Sequence, residues 1–360
     1  MVQTRRTLIA QLGTAIASSA ITLGAEPHRS KAAEKNAVEK IRIGQIGVGH
    51  GHASKISVYR NSADYEVVGI VENDPTAREA ARSNKAFQDV PWMTQEQLLN
   101  VPGLQAVLVE TEVRESLDVA HACIDAGKHI HLDKPAGDSL PRFQELIRKA
   151  EASRLMIQMG YMYRYNPAVV LLREFLKQGY LGDVFEIHAV MSKVLPAADR
   201  IEQAKYRGGM MFELGCHLID LILGTMGAPD RVHPFSQSTS AFGDTLNDNM
   251  LAVLTYPRAI ATVKSSAVEV EGFSRRHLVV CGTEGTFHIQ PLDNPTATIS
   301  LSKVRGNYRA GIQEVQFPKY LRYVDDAADM ASILRGEKES DYTYAHDLHV
   351  QQIVLQASGL

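Results

Sequence analysis

The chain has 360 residues, of which 45% are hydrophobic and 22% charged, a composition that excludes wholesale disorder, a collagen-like fibre and a small disulfide scaffold. At roughly 150 residues per domain the length suits about two domains. With 38 basic and 41 acidic side chains, a formal charge of -3 and no long basic run, the balance argues against a nucleic-acid backbone as partner.

Residues 1–25 read as an export signal. Arg5 and Arg6 are their only charges, and Thr7 to Ala25 are mildly apolar, diluted by Gln11, Gly13, Ser18, Ser19 and Gly24. A charged start, an apolar middle and a small-residue end make a cleavable leader rather than a span, so no membrane helix is expected after processing. The Arg5-Arg6 pair resembles a twin-arginine signal, which exports folded proteins, here to the periplasm. An ordinary secretory signal or an uncleaved anchor is the alternative. Residues 26–39 are polar and read as a linker. Cys123, Cys216 and Cys281 fall in three separate predicted elements and are expected as thiols, not as a disulfide framework.

From residue 40 short apolar runs alternate with helical stretches. Strands are expected at 41–47, 66–71, 104–109, 129–132 and 155–159. Helices are expected near 52–60, 76–85, 94–100, 115–127 and 138–153. That alternation predicts a parallel sheet with helices on both faces over 40–160, with ligands beyond the carboxyl ends of its strands. The second domain, 161–360, begins with a helix near 167–178, a strand at 184–192 and a helix at 209–226. Strands at 250–256, 259–268, 277–281 and 286–289 follow without helices between them, which predicts an open, mostly antiparallel sheet. Helices near 322–335 and 345–358 end the chain.

Gly44-x-x-Gly47-x-Gly49 comes directly off the first strand. Gly47 permits a tight turn, Gly49 removes a Cβ where a pyrophosphate approaches, and the next helix presents free N–H groups. His50 and His52 stand in the same turn, and His52 replaces the third glycine of the fingerprint. Glu72 lies 20 residues after His52 at the end of the second strand, where its carboxylate suits ribose hydroxyls and repels a 2′-phosphate. Glu72-Asn73-Asp74-Pro75 holds no Arg or Lys, so NAD is favoured over NADP. Asp74 and Pro75 also read as a helix N-cap and first turn.

Four markers in order resemble the Gfo/Idh/MocA oxidoreductases, a family that includes glucose–fructose oxidoreductase and inositol dehydrogenases. They are the glycine turn, Glu72, Asp133-Lys134-Pro135, and Gly208-Gly209-x-x-x-Glu213-x-Gly215-x-His217-x-x-Asp220. Gly160 to Pro167 resembles a family segment near the nicotinamide. The resemblance covers the chain from Lys40 onward. It implies an N-terminal Rossmann domain, a C-terminal α/β domain with an open sheet, and a homodimer or homotetramer.

The resemblance implies Lys134, His217 and Glu213 as catalytic residues. A buried ammonium polarises a reacting hydroxyl, and an imidazole takes its proton as hydride leaves for nicotinamide. Glu213, His217 and Asp220 stand at i, i+4 and i+7, one face of a helix. Thr111, Asp133 and Arg164 join Gly47, Gly49, His50, His52, Glu72 and Lys134 as expected cofactor-binding residues. Tyr165, Asn166 and Asp220 are expected at the substrate.

His129 and His131 share a strand face; without further ligands they are read as packing, and no metal is expected. Two departures stand out. Glu213 occupies a position where the family carries Asp, and Glu110-Thr111-Glu112 replaces a Thr-Pro segment, leaving Glu112 without a role.

The expected activity is hydride transfer between NAD(H) and a sugar, polyol or related hydroxy compound. Export of such a protein calls for a cofactor loaded beforehand and regenerated in each cycle. Redox-neutral glycoside cleavage through transient oxidation is the alternative chemistry, and a non-catalytic cofactor sensor the alternative class. A metal-dependent hydrolase built on His129 and His131 is a further one.

Overall fold

The structure, a computed structural model, describes residues 39–239 and 242–360. The expected leader and all but the last residue of the expected linker lie outside the described residues. No described helix is long and apolar enough to cross a membrane.

The first sheet is parallel throughout. Its strands are β1 (Ile41–Ile46), β2 (Tyr65–Val71), β3 (Trp92–Met93), β4 (Ala106–Val109), β5 (His129–Leu132) and β6 (Ile157–Met159), in the order β3-β2-β1-β4-β5-β6. The crossovers carry α1 (Ile56–Asn61), α2 (Pro75–Arg82), α3 (Gln95–Leu99), α4 (Val113–Asp125) and α5 (Leu140–Ser153). β4 is buried along its whole length, as a strand covered on both faces must be. Asp74 caps α2, its Oδ1 accepting from the Thr76 N–H at 2.7 Å, with Pro75 in the first turn. Strand order reverses between β1 and β4, which opens a crevice beyond their carboxyl ends.

The second sheet has eight strands: β7 (Val184–Ser192), β8 (Arg231–Gln237), β9 (Asn249–Tyr256), β10 (Ala259–Ser266), β11 (His277–Gly282), β12 (Gly285–Ile289), β13 (Thr296–Leu301) and β14 (Gly311–Gln316). Their order is β14-β13-β12-β11-β7-β10-β9-β8, antiparallel except for the β7–β10 pair. One face is apolar: Ile187, Ala189, Val263, Phe287 and Ile299 are buried there. The opposite face stays partly exposed, with Phe235, Ile260 and Ile312 open. Five helices complete this part: α6 (Pro167–Lys177), α7 (Ala197–Ala204), α8 (Cys216–Met226), α9 (Val324–Leu334) and α10 (Tyr344–Ala357).

The two C-terminal helices return to the first sheet's side. The Tyr65 hydroxyl donates to the Ala327 carbonyl oxygen at 2.7 Å, and the Gln351 amide donates to Gly137 and accepts from Ala136. These bonds hold α9 and α10 against the first domain.

Candidate active site

The crevice forms a cavity of about 570 Å³ lined by Gly47, Gly49, Glu72, Asp74, Thr111 and Glu112, among others. Gly47 has φ +94°, and a Cβ there would lie 2.5 Å from the Glu110 carbonyl and the Thr111 nitrogen. Its role is therefore close backbone approach to β4 as well as the turn. At Gly49 a Cβ would meet only Glu112 Cγ, at 4.0 Å, so the space it leaves belongs to the cavity. The N–H groups of Gly49 and Gly51 have no acceptor among the described residues, and the Thr111 hydroxyl is buried without a partner. A dinucleotide pyrophosphate would supply those acceptors. Glu72 accepts from the Val48 N–H at 3.0 Å and from the Asp74 N–H at 2.9 Å, pinning the glycine turn to the end of β2. It faces the cavity while doing so. Glu112 is exposed on the cavity rim, at the entry to α4.

Beyond the crevice, the end of β5 delivers Asp133 and Lys134 to the second domain. Lys134 Nζ donates to the Glu213 carbonyl oxygen at 3.0 Å and to its carboxylate at 3.3 Å. Burial disfavours this ammonium, but the facing Glu213 carboxylate outweighs it and raises the Lys134 pKa. Glu213 lies in a π-helical turn, Met211–Gly215, that leads into α8. Asp220, expected on the same face as Glu213 and His217, pairs with Arg164 instead. Glu213 faces Lys134, whereas His217 packs its ring against Tyr163, Tyr161 and His52, with ring centres 5.4, 6.0 and 6.3 Å away. His217 Nδ1 is buried without a hydrogen bond. Burial first, then the Lys134 charge, hold its pKa well below the ordinary value, so the imidazole is neutral.

A buried polar cluster lies behind this site. Lys55 Nζ reaches Asp133 Oδ2 at 2.5 Å, Glu110 Oε1 at 3.0 Å and His131 Nε2 at 3.0 Å. His50 Nδ1 is 3.3 Å from Asp133 Oδ2, and His52 Nδ1 is 3.2 Å from Asp133 Oδ1. Burial opposes ionisation of Asp133, yet His50, Lys55 and His52 together hold its pKa well below the carboxylate range. Burial and the adjacent Asp133 push Glu110 the other way, against the pull of Lys55. Lys55 is the residue that sequence reading missed. It stands one helical turn after His52, on the same side of the chain, and that spacing was the available signal. Tyr323, whose ring lies 5.1 Å from Lys55 Nζ, and Lys193 at the end of β7 were missed too, being far away in sequence. Burial lowers the Lys193 pKa, and Lys134 and Arg276 add to that against Glu213.

Four expected site residues turn elsewhere. Arg164 binds Asp220 through two nitrogens, at 2.6 and 3.1 Å, and also Asp347 at 2.5 Å, all buried. Asp220 also meets His346 Nε2 at 3.1 Å. Arg164 and Asp220 are thus each other's partners, which corrects their assignment to cofactor and substrate. Asn166 is fully buried; it caps α6 through the Ala168 N–H and donates to the Leu292 carbonyl oxygen. Tyr165 donates to Asp329 at 2.8 Å. These contacts supply the polar partners of both side chains without a substrate.

His129 and His131 also part company. His129 Nδ1 accepts from the Met156 N–H, and His131 joins the Lys55 cluster. All three cysteines are free thiols: Cys123 and Cys216 are buried, which pushes each up to about 12, and Cys281 is half-buried.

Comparisons with known proteins agree with this architecture. Residues 41–161 match the model of an oxidoreductase family with an NAD-binding Rossmann fold, and residues 169–288 match the GFO/IDH/MocA C-terminal domain. The oxidoreductase YdgJ of Escherichia coli is 26% identical over 250 residues, 65% of this chain and 69% of that one. Trans-1,2-dihydrobenzene-1,2-diol dehydrogenase of Bos taurus is 23% identical over 253 residues, 69% of this chain and 72% of that one. Among solved structures, levoglucosan dehydrogenase in complex with NADH and levoglucosan superposes with a TM-score of 0.74 at 16% identity, covering 89% of this chain and 98% of that one. With both domains matched in order and a nicotinamide-type crevice between β1 and β4, the chain belongs to the Gfo/Idh/MocA family of oxidoreductases.

Proposed function

We propose that the chain is an NAD-dependent dehydrogenase that moves hydride between nicotinamide and a hydroxyl-bearing carbon of a sugar, polyol or related compound. The meeting of Lys134, Glu213 and His217 beside the glycine-turn crevice carries this reading. Bound in the crevice, the dinucleotide supplies the hydride acceptor. Gly49, Thr111 and Glu72 hold it, the Lys134 ammonium stabilises negative charge growing on the substrate oxygen, and a neutral imidazole takes the proton. The cavity is lined by Glu72, Asp74, Glu112, Glu115 and Asp118 and by no Lys or Arg, which supports NAD over its 2′-phosphorylated form. The hydroxylated rings in the names of the bovine dehydrogenase and levoglucosan dehydrogenase support the substrate class.

The proposal includes export of the folded, cofactor-loaded enzyme to the periplasm by the Arg5-Arg6 leader. It also includes a homodimer or homotetramer formed on the open sheet face around Phe235 and Ile260. Presenting sugars, inositols and glycosides to the purified protein and reading nicotinamide absorbance tests the activity. Reduction by at least one member is the expected result. No reduction across the panel, with NAD bound, would reject it in favour of a sensor. A cleaved glycoside with no net reduction would favour the redox-neutral chemistry.

A further inference from the structure

We propose that Lys55 is a positioning residue for Lys134, acting through Asp133, whose carboxylate it holds on the Lys134 N–H. The proposal rests on the dehydrogenase reading above for what Lys134 does, and adds the residue that places it.

Lys55 ends the 3₁₀ turn Ala53–Lys55, just after the glycine turn, and its side chain is wholly buried. An ammonium is seldom taken so far from water unless it is partnered. Here three groups meet it. Lys55 Nζ donates to Asp133 Oδ2 at 2.5 Å, pairs with Glu110 Oε1 at 3.0 Å and meets His131 Nε2 at 3.0 Å. The direction of the last bond follows from the far side of the ring. The Gln158 amide nitrogen donates to the Asp326 carbonyl oxygen at 3.1 Å, which leaves Gln158 Oε1 facing His131 Nδ1, 3.0 Å away. An amide oxygen accepts, so Nδ1 carries the ring proton and Nε2 is the acceptor for Lys55. Burial disfavours the Lys55 ammonium, but Asp133 and Glu110 outweigh it, so it stays charged through neutral pH.

Asp133 passes this constraint on. One oxygen takes the Lys55 ammonium, and the other accepts the Lys134 N–H at 2.7 Å. Burial opposes the charge on Asp133, and His50, Lys55 and His52 offset it. The two imidazoles do so only while protonated, whereas Lys55 does so at every working pH. Gly160 crowds the same carboxyl: a Cβ there would lie 3.0 Å from the Asp133 Cα and 3.1 Å from its Oδ1. The carboxylate therefore has little room to turn, and it anchors the backbone from which Lys134 reaches Glu213. A displacement of about 1 Å at a reacting group can cost on the order of 10²-fold in rate, so a residue that touches no substrate can still govern kcat.

The test uses the full-length protein with NAD, and D-glucose, myo-inositol and levoglucosan as probes. Lys55→Met is expected to lower kcat by about 10²-fold, with NADH affinity, read by fluorescence, within about threefold of wild type. A merely structural role would weaken cofactor binding and turnover together. Because Lys55 acts through Asp133, Lys55→Met/Asp133→Asn should turn over at the rate of Asp133→Asn alone. Losses that multiply, or a Lys55→Met kcat within about threefold of wild type, would overturn the proposal. Should Lys55→Met fail to fold with two carboxyls left buried beside each other, the double variant, which removes one of them, carries the comparison with Asp133→Asn.

Two measurements need no turnover. With nitrogen-labelled lysine, the Lys134 backbone amide resonance should shift in Lys55→Met as its bond to Asp133 loosens; an unmoved resonance rejects the positioning. In the wild type, imidazole nitrogen NMR should find the Nδ1–H tautomer at His131, and an Nε2–H tautomer rejects the bond from Lys55. If the wild type oxidises no probe, the dehydrogenase reading fails on its own, and these two spectra decide the placement of Lys134.

Discussion

The Lys134 ammonium ties the end of β5 to the entry of α8 by donating to both the backbone carbonyl oxygen and the carboxylate of Glu213. One side chain thus sets the distance between the cofactor domain and the helix that carries His217. Lys134 is almost fully buried, whereas Glu213 keeps 22% of its side chain exposed, so the carboxylate is open on the side away from lysine.

That geometry predicts two graded losses. Under the proposed role of its ammonium on the substrate oxygen, Lys134→Ala should lower kcat by about 10²–10³-fold and leave NADH affinity nearly unchanged. Glu213→Asp, although it restores the family's residue, withdraws the carboxylate by about 1 Å and should cost up to about 10²-fold. Steady-state kinetics alongside NADH fluorescence titration separates the two effects.

The glycine turn makes a sharper contrast. Gly47→Ala drives a Cβ to 2.5 Å from the Glu110–Thr111 backbone at a positive φ, so it should lower the melting temperature and abolish cofactor binding. Gly49→Ala meets nothing nearer than 4.0 Å and should fold like the wild type. It should nonetheless weaken NAD binding by at least about tenfold, roughly 1.4 kcal/mol, because the methyl occupies the cavity. Equal affinity for NAD in Gly49→Ala and wild type would remove this residue from the binding site.

Arg164 separates a stabilising role from a cofactor role. Arg164→Met leaves Asp220 and Asp347 buried without their cation, which costs about 3–5 kcal/mol for a broken buried pair. Urea unfolding should show that loss. NADH affinity measured well below the unfolding midpoint should stay within about twofold of wild type, since the guanidinium is spent on carboxylates.

The parallel sheet was legible because β1, β2, β4 and β5 are short apolar runs separated by amphipathic helices, a pattern dictated by burial on both faces. The strands β8 and β14 were not, since edge strands carry no strict alternation: Arg231–Gln237 is mostly exposed and contains Pro234. β13 does alternate, with Ala297, Ile299 and Leu301 inward, but it is short and follows a turn rich in polar residues. At the site, the motif singled out Lys134, Glu213 and His217, and the structure brings Lys134 and Glu213 into contact. Lys55 was not singled out, because a lysine early in a helix normally reaches solvent. Arg164 and Asp220 were misread for a related reason: Asp347, which completes their network, comes from a helix more than 120 residues further on. Sequence spacing marks neighbours along one helix, and only the fold decides which charges spend each other.

The same buried charges govern the response to pH. His52 is held at about 4 and His131 at about 3, both chiefly by burial, and His217 lies well below its ordinary value. For each, the unfolded state binds a proton near pH 6.5 that the folded state refuses. The stability they contribute is therefore complete above about pH 6.5 and is lost as pH falls, by about 1.4 kcal/mol per unit for each histidine. Asp326 runs the opposite way. Burial raises it to about 7, so the folded state takes up a proton that the unfolded carboxyl, near 3.8, releases. Its contribution is fully present below about pH 4 and declines as pH rises to about 7. Between about pH 4 and 6.5 the lowered histidines His52, His131, His217, His129 and His277 act one way and the raised carboxyls Asp326, Glu110 and Asp347 the other, and the larger histidine set should make urea midpoints drop on acidification. His217→Gln should flatten that slope by about one proton, and Asp326→Asn should steepen it while raising the midpoint above neutral pH. A midpoint independent of pH over this window would mean that the folded and unfolded states take up protons equally there, against the lowered pKa of these buried imidazoles.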